Sequence, residues 1–323
     1  MSSTGKLSAY QGRGWRPRRA TLAAELAAGR GLWAPWRVDS EYRKLEAVVL
    51  YCPGKELRGI RNPNAVQHAG RIDAVAIKKE YALLAAAFRR LSVEVHVMPC
   101  AFEGSRWPVK RNLMFVRDLF FNTREGAVVS RMASAVRAGE EKHASLALSR
   151  LGVPINRTIS GAGLFEGADA LWLDPRTVLC GVGNRTNREG YRQLSEVLRA
   201  QGVRTVAVEL PRGVQHLLGI LQIVDRDLVL LRGELAPRKL AALLKKRGFS
   251  VVPVPETGET TFGQGMNVVT AAPRTILMPA GCPELKRRYL AAGIAVAAEV
   301  DVRQILRGAG GLACATGILS RRI

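Results

Sequence analysis

The sequence predicts an α/β ring of about five strand-turn-strand-helix-strand units packed round a common centre. Three observations predict it. Paired apolar strands separated by tight polar turns recur in "MFVRDLFFNTREGAVVSRM", "ALWLDPRTVLCGV", "LQIVDRDLVLL" and "NVVTAAPRTILMP". Their turns, at Arg124 and Glu125, Pro175 and Arg176, Asp225 and Arg226, and Pro273 and Arg274, step by roughly fifty residues. Each pair is followed by a segment with apolar residues at helical spacing, and then by one further short strand. Units that cannot bury their apolar faces alone must pack on their neighbours, so a closed ring is expected over two separate domains.

In chain order, residues 1–36 read as an N-terminal arm with one helical piece, "ATLAAELAAG", and residues 37–323 as a single catalytic domain. A first unit opens with "LEAVVLYCPG", has its helix in "AIKKEYALLAAAFRRL" and continues into "SVEVHVMP". The other helices fall in "GEEKHASLALSRLG", "REGYRQLSEVLRAQG", "APRKLAALLKKRGF" and "PELKRRYLAAG", with Gly at or beyond most ends. Their following strands are "VPINRTI", "VRTVAVEL", "FSVVPVP" and "IAVAAEVDV", and the last strand of the chain is expected to close near the first.

Composition narrows the classes. The 323 residues, 47% of them hydrophobic, can bury a sizeable core. No apolar run is long enough to span a bilayer and no secretory leader is evident, so a soluble, cytoplasmic protein is expected. The cysteines (Cys52, Cys100, Cys180, Cys282, Cys314) and histidines (His68, His96, His143, His216) are too dispersed for a zinc or redox motif, and neither a metal nor a cofactor is expected. The net charge of +22 suggests a polyanion partner. Its basic residues are spread over the arm ("RGWRPRR"), helix-like segments and the C-terminus instead of forming one aromatic-interleaved stripe, which weighs against nucleic acid.

Four loops that precede the first strand of a unit carry polar residues in apolar surroundings: "FVRDLF" (Arg117, Asp118), "GLFEGAD" (Glu166, Asp169), "GVQHLLG" (His216) and "GGLACATG" (Cys314). In a ring these loops converge on the centre. A lone cysteine behind glycines is either a small buried hydrophobe or a nucleophile set against backbone. Cysteine, histidine and carboxylates at one centre describe attack on a bound guanidinium, the carboxylates holding the cation and the histidine moving protons.

These motifs, in this order, resemble the guanidino-group-modifying enzymes of the pentein fold: arginine deiminase, dimethylarginine dimethylaminohydrolase and the amidinotransferases. The resemblance runs from about Leu45 to the end. "FEGAD" is similar to the family's Glu-Gly-Gly-Asp motif with Ala168 for the second glycine, and "GVGNRTNREG" to an Arg-Thr-Asn segment of dimethylarginine dimethylaminohydrolase. Arginine deiminases carry an Asp two residues after the histidine; here that position is Leu218.

The resemblance implies a five-bladed ββαβ propeller with pseudo-fivefold symmetry and a linear-amidine hydrolase that makes citrulline from arginine or Nω-methylated arginine. In it Cys314 is the nucleophile, His216 the acid and base, and Asp118 and Glu166 the acceptors of the guanidinium. Asp169 contacts substrate or holds its loop, and Arg131 and Arg185 bind the substrate α-carboxylate, with Asn187 supporting that loop. The segment "TGETTFGQGMNVV" around Asn267 contributes to the site with no residue singled out. An amidinotransferase is the close rival, and an RNA- or ribosome-binding propeller the rival of another class. The implied partner is a small guanidino molecule, with homo-oligomerisation left open.

Overall fold

Two apolar strands joined by a two-residue turn pair antiparallel, whereas a third strand reached through a helix returns parallel. That grammar is met four times, and a fifth sheet shares its strand directions without the turn, in the computed structural model, which describes residues 7–29, 31–99 and 110–323. One sheet holds β1 (Leu45–Leu50) and β2 (Glu94–Val97), connected by α2 (Ala74–Arg90), and the helix preceding them in the arm is α1 (Leu22–Ala28). The next holds β3 (Phe120–Thr123), β4 (Gly126–Val129) and β5 (Ile155–Thr158), with α3 (Glu140–Arg150) crossing between the last two. The third holds β6 (Ala170–Asp174), β7 (Thr177–Val182) and β8 (Arg204–Glu209), with α4 (Arg188–Ala200). The fourth holds β9 (Leu221–Asp225), β10 (Leu228–Leu231) and β11 (Ser250–Pro253), with α5 (Arg238–Lys246). After the short α6 (Gly258–Thr261) comes the fifth, made of β12 (Val269–Ala272), β13 (Thr275–Pro279) and β14 (Ala295–Val300), with α7 (Pro283–Ala291). Beyond α8 (Arg303–Arg307), β15 (Gly317–Arg321) pairs antiparallel with β1 and completes the first sheet from the other end of the chain.

In every sheet the middle strand is antiparallel to the first and parallel to the third; Val128, for example, pairs with Phe121 on one side and Arg157 on the other. Middle strands are buried along their whole length in β4, β7 and β10, so they read as continuous apolar runs, while the third strands are more exposed and β14 exposes alternate residues. One turn is displaced from its expected place. Asp225 belongs to β9, paired with Leu228, so the fourth sheet turns on Arg226 and Asp227. Asp225 also accepts a hydrogen bond from the Arg226 backbone N–H, as turn-flanking aspartates do.

The arm carries its helix where expected: Thr21 caps α1 by accepting from the Ala24 N–H, and Leu26 is fully buried. Residues before position 37 already join the sheets, since the Trp36 indole donates to the Leu151 carbonyl and Ala34 N–H to Gly152. Among the described residues no helix is long and apolar enough to cross a membrane, and Cys52, Cys180, Cys282 and Cys314 are free thiols; Cys100 lies outside the described residues.

What positions the site is the turn before each first strand. Single 3-10 turns at Val116–Asp118, Gly167–Asp169 and Leu217–Gly219 lead into β3, β6 and β9 and pack against one another. The contact is close enough to require Gly167: a Cβ there would lie 2.2 Å from the Phe120 carbonyl oxygen.

Candidate functional site

The five entries to first strands supply Asp118, Glu166 with Asp169, His216, Asn267 and Cys314. Cys314, half-buried, sits on the turn before β15, and its carbonyl accepts from the Arg117 N–H, which ties the Cys314 loop to the Asp118 loop. Asn267 grips this turn. Its Oδ1 accepts from the N–H groups of Ala313 (2.6 Å) and Cys314 (3.2 Å), while its Nδ2 donates to the Cys314 sulfur at 3.2 Å. Gly311 makes this grip fit, because a Cβ there would lie 2.6 Å from the Asn267 side chain. Of the glycines before Cys314, Gly311 thus clears room for Asn267, while Gly308 and Gly310 clear room for Met114 and Phe115. Sequence reading left Asn267 unassigned among its neighbours; its place before β12, matching the polar residues before the other first strands, is the signal that marks it.

His216 is 5% exposed, and its Nε2 lies 2.8 Å from Glu166 Oε2. Its Nδ1 is 3.9 Å from Asp118 Oδ1. Burial disfavours the imidazolium, but the Asp118 charge, the hydrogen bond to Glu166 and the Asp169 charge outweigh it and raise His216 to about 9. Glu166 moves the other way. Burial would raise it, and its bond to His216 with the nearby charges of Arg137 and Arg185 brings it down to about 2. The histidine of the pair therefore carries the proton at neutral pH.

Glu166 was expected to face substrate, and the geometry corrects this. The residue has no exposed surface; Oε2 meets His216, and Oε1 accepts from Ala133 N–H at 3.2 Å and Arg185 at 3.3 Å. Its oxygens are spent on the protein, so it orients His216. Asp169 is similar: Oδ1 accepts from Leu217 N–H (3.0 Å) and Oδ2 from the Thr186 hydroxyl (2.7 Å), in a fully buried position. Of its two expected roles, the contacts are those of a loop holder.

Asp118 is different. Oδ2 receives a 2.6 Å bond from Arg137, whereas Oδ1 is buried with no hydrogen-bond partner. Such an acceptor is costly to leave empty, and it lines the cavity beside Cys314 and His216. Sequence reading missed Arg137. The ligand atoms of Asp118, Glu166 and His216 lie within 4.8 Å of one another, close enough to hold a cation. The cation already facing both carboxylates is Arg137, 3.7 Å from Glu166.

The cavity measures about 210 Å³ and is walled by Asp118, His216, Asn267 and Cys314 with Phe115, Leu218 and Leu235. Burial and the Asp118 charge push the Cys314 thiol up to about 11, with the Asn267 amide opposing them. The thiol is therefore protonated at neutral pH until a cation enters. Arg131 and Arg185 do not form part of this wall: Arg131 donates to the Gly163 carbonyl (3.1 Å) and Arg185 to Glu166. The guanidinium in the wall is Arg232, which is neutralised by a two-point pairing with Glu256. Asn187 does hold its loop, capping α4 through Gly190 N–H and bonding Ala162 and Leu164.

With that geometry in hand, comparison with known proteins is informative. A family model described as arginine deiminase matches residues 108–236, the stretch that carries Asp118, Glu166, Asp169 and His216. The chain is 27% identical over 286 residues to the uncharacterized protein YkgA of Bacillus subtilis, covering 87% of this chain and 94% of that one. It is 24% identical over 247 residues to N(G),N(G)-dimethylarginine dimethylaminohydrolase of Pseudomonas aeruginosa, covering 76% and 90%. Among solved structures, inosamine-phosphate amidinotransferase StrB1 of Streptomyces griseus superposes with a TM-score of 0.66 at 17% identity over 89% of this chain and 97% of that one, a likeness of fold. The five repeated sheets, the order of the motifs and these matches agree: in fold and in motif order the chain is similar to the pentein-fold guanidino-group-modifying enzymes.

Proposed function

We propose that the protein is a hydrolase of linear amidines that converts arginine or Nω-methylated arginine to citrulline, releasing ammonia or an amine. The observation that carries this reading is a buried, unpartnered Asp118 oxygen in one cavity with Cys314 and a His216 held by Glu166. A guanidinium donating to Asp118 Oδ1 satisfies that acceptor and brings a positive charge to the thiol, which lowers the cost of the thiolate. The thiol proton leaves to solvent through the cavity, and the Cys314 thiolate attacks the guanidinium carbon. The C–N bond to the departing nitrogen breaks as the His216 imidazolium gives it a proton, leaving a thiouronium on Cys314. Neutral His216 next takes a proton from water as the water oxygen bonds to the same carbon. The C–S bond breaks, the remaining hydroxyl proton passes to solvent, and the ureido product and thiolate separate.

The five sheets are read here as the blades of a propeller with pseudo-fivefold symmetry, in a single catalytic domain from about residue 37, with its site at the central channel. For the far end of the substrate, Arg131 and Arg185 are the proposed carboxylate readers. To reach the ligand they would exchange the Gly163 carbonyl and Glu166 for its carboxylate. A transferase shares every step up to the thiouronium and differs only in admitting an amine in place of water; the fold shared with an amidinotransferase supports keeping it as the second reading. Incubation with arginine, monomethylarginine, dimethylarginine and agmatine, each with and without glycine or lysine, tests both. Citrulline supports the hydrolase and a guanidinylated acceptor the transferase. Neither product from any substrate refutes the proposal.

A further inference from the structure

We propose that Arg137 is a positioning residue for the substrate guanidinium, clamping one oxygen of Asp118 so that the other is aimed into the cavity; this rests on the guanidino-binding reading of the site. Arg137 is 2% exposed and is itself fixed from three sides. Its Nε donates to Glu140 on α3 at 2.9 Å, its NH2 reaches the Asn112 carbonyl at 3.4 Å, and its guanidinium carbon stands 6.0 Å from the centre of the Phe115 ring, which lines the cavity. From that anchorage NH1 makes the 2.6 Å bond to Asp118 Oδ2. No other hydrogen bond to the Asp118 carboxylate is present among the described residues, since Ser130 bonds only its main-chain carbonyl.

Without the clamp, Asp118 would be a buried carboxylate with nothing to fix its rotamer. Its free oxygen would then no longer be aimed at a cation in the cavity. The charged and titratable groups facing this cluster are Asp118, Glu140, Glu166, His216, Arg185 and Cys314. Arg137 is the cation shared between Asp118 and Glu166, so it serves both the substrate acceptor and the carboxylate that holds His216. A purely structural arginine would affect folding and leave these functions in place.

The test uses Arg137→Met and Arg137→Lys in the full chain, with kcat and KM measured against pH and melting temperature in parallel. Arg137→Met is expected to raise the acidic limb of the kcat/KM profile by about 1–2 pH units, as Glu166 loses one of the cations that hold it down to about 2, and to raise KM far more than it lowers kcat. Arg137→Lys keeps the charge and loses the forked clamp; it should leave the acidic limb in place while raising KM about tenfold. An unchanged KM in both variants, or a lowered melting temperature with the acidic limb unmoved in Arg137→Met, overturns the proposal. If Arg137→Met does not fold, the KM of Arg137→Lys decides alone.

A second measurement needs no turnover: guanidinium ion should protect Cys314 from iodoacetamide in the wild type, and Arg137→Met should need about tenfold more for equal protection. Equal protection overturns the positioning role even if the proposed reaction is correct. Protection that depends on Arg137, without product from any arginine, supports the clamp while the proposed reaction fails.

Discussion

His216 Nε2 and Glu166 Oε2 stand 2.8 Å apart, each almost wholly buried, and each helps the other hold its charge there. Their separation makes His216 an acid that is loaded before substrate arrives. In pH terms His216, raised to about 9 from 6.5, carries its proton through the neutral range and loses it as pH rises through about 9. Its contribution to stability follows the same sign, being fully present below the unfolded value and lost as pH passes the folded one.

Glu166→Gln removes the charge but keeps much of the shape. His216 is then expected to fall toward its ordinary value, moving the basic limb of kcat/KM down by about 1–2 pH units. A pH profile of the variant checks this. An unmoved basic limb would separate His216 from the proton given to the leaving group.

Asn267→Ala deletes the side chain that serves the Ala313 and Cys314 N–H groups and the Cys314 sulfur. Leaving buried donors unpaired costs about 1–3 kcal/mol each, so thermal stability should fall. Without the amide to oppose burial, the thiol should also titrate higher than about 11. Alkylation of Cys314 by iodoacetamide across pH, without substrate, measures the second effect. A wild-type thiol that reacts fully at pH 7 would contradict the expected protonated resting state.

Arg185→Ala should reduce kcat/KM for arginine by on the order of a hundredfold, about 2–3 kcal/mol of transition-state binding. Agmatine, which lacks the carboxylate, should be affected far less. Because Arg185 also bonds Glu166, equal losses for the two substrates would show that it acts on the Glu166–His216 pair instead.

Leu218 stands where arginine deiminases place a second acid, and it lines the cavity as an apolar group. Methylation of the guanidino nitrogen should therefore be tolerated, with Nω-methylarginine used at least as well as arginine. Steady-state rates on the two substrates check this, and a strict preference for unmethylated arginine would move the assignment to a deiminase or an amidinotransferase.

Sequence periodicity located the strands and helices because each unit buries its apolar faces in the same order. The exception at Asp225 arose because a strand-ending aspartate and a turn aspartate look alike until pairing with Leu228 is seen. At the site, Cys314, His216 and Asp118 could be read from their place before first strands. Glu166 had the right location and the wrong direction, since which way a carboxylate faces depends on Ala133 and Arg185, partners 33 and 19 residues away. Arg137 was hidden among 49 basic residues. Its Arg-Glu spacing to Glu140 is ordinary on helices, and only burial sets it apart.

The central claim is that Cys314 forms a covalent bond to the guanidinium carbon and that His216 resolves it. Intact-protein and peptide mass spectrometry of His216→Ala incubated with S-methyl-L-thiocitrulline, whose methanethiolate departs without a proton from His216, tests it most directly, with Cys314→Ser as the parallel sample. The account predicts an amidino adduct on the peptide containing Cys314 in His216→Ala, and neither adduct nor product with Cys314→Ser. Normal turnover by Cys314→Ser, or an adduct on any residue other than Cys314, would contradict it.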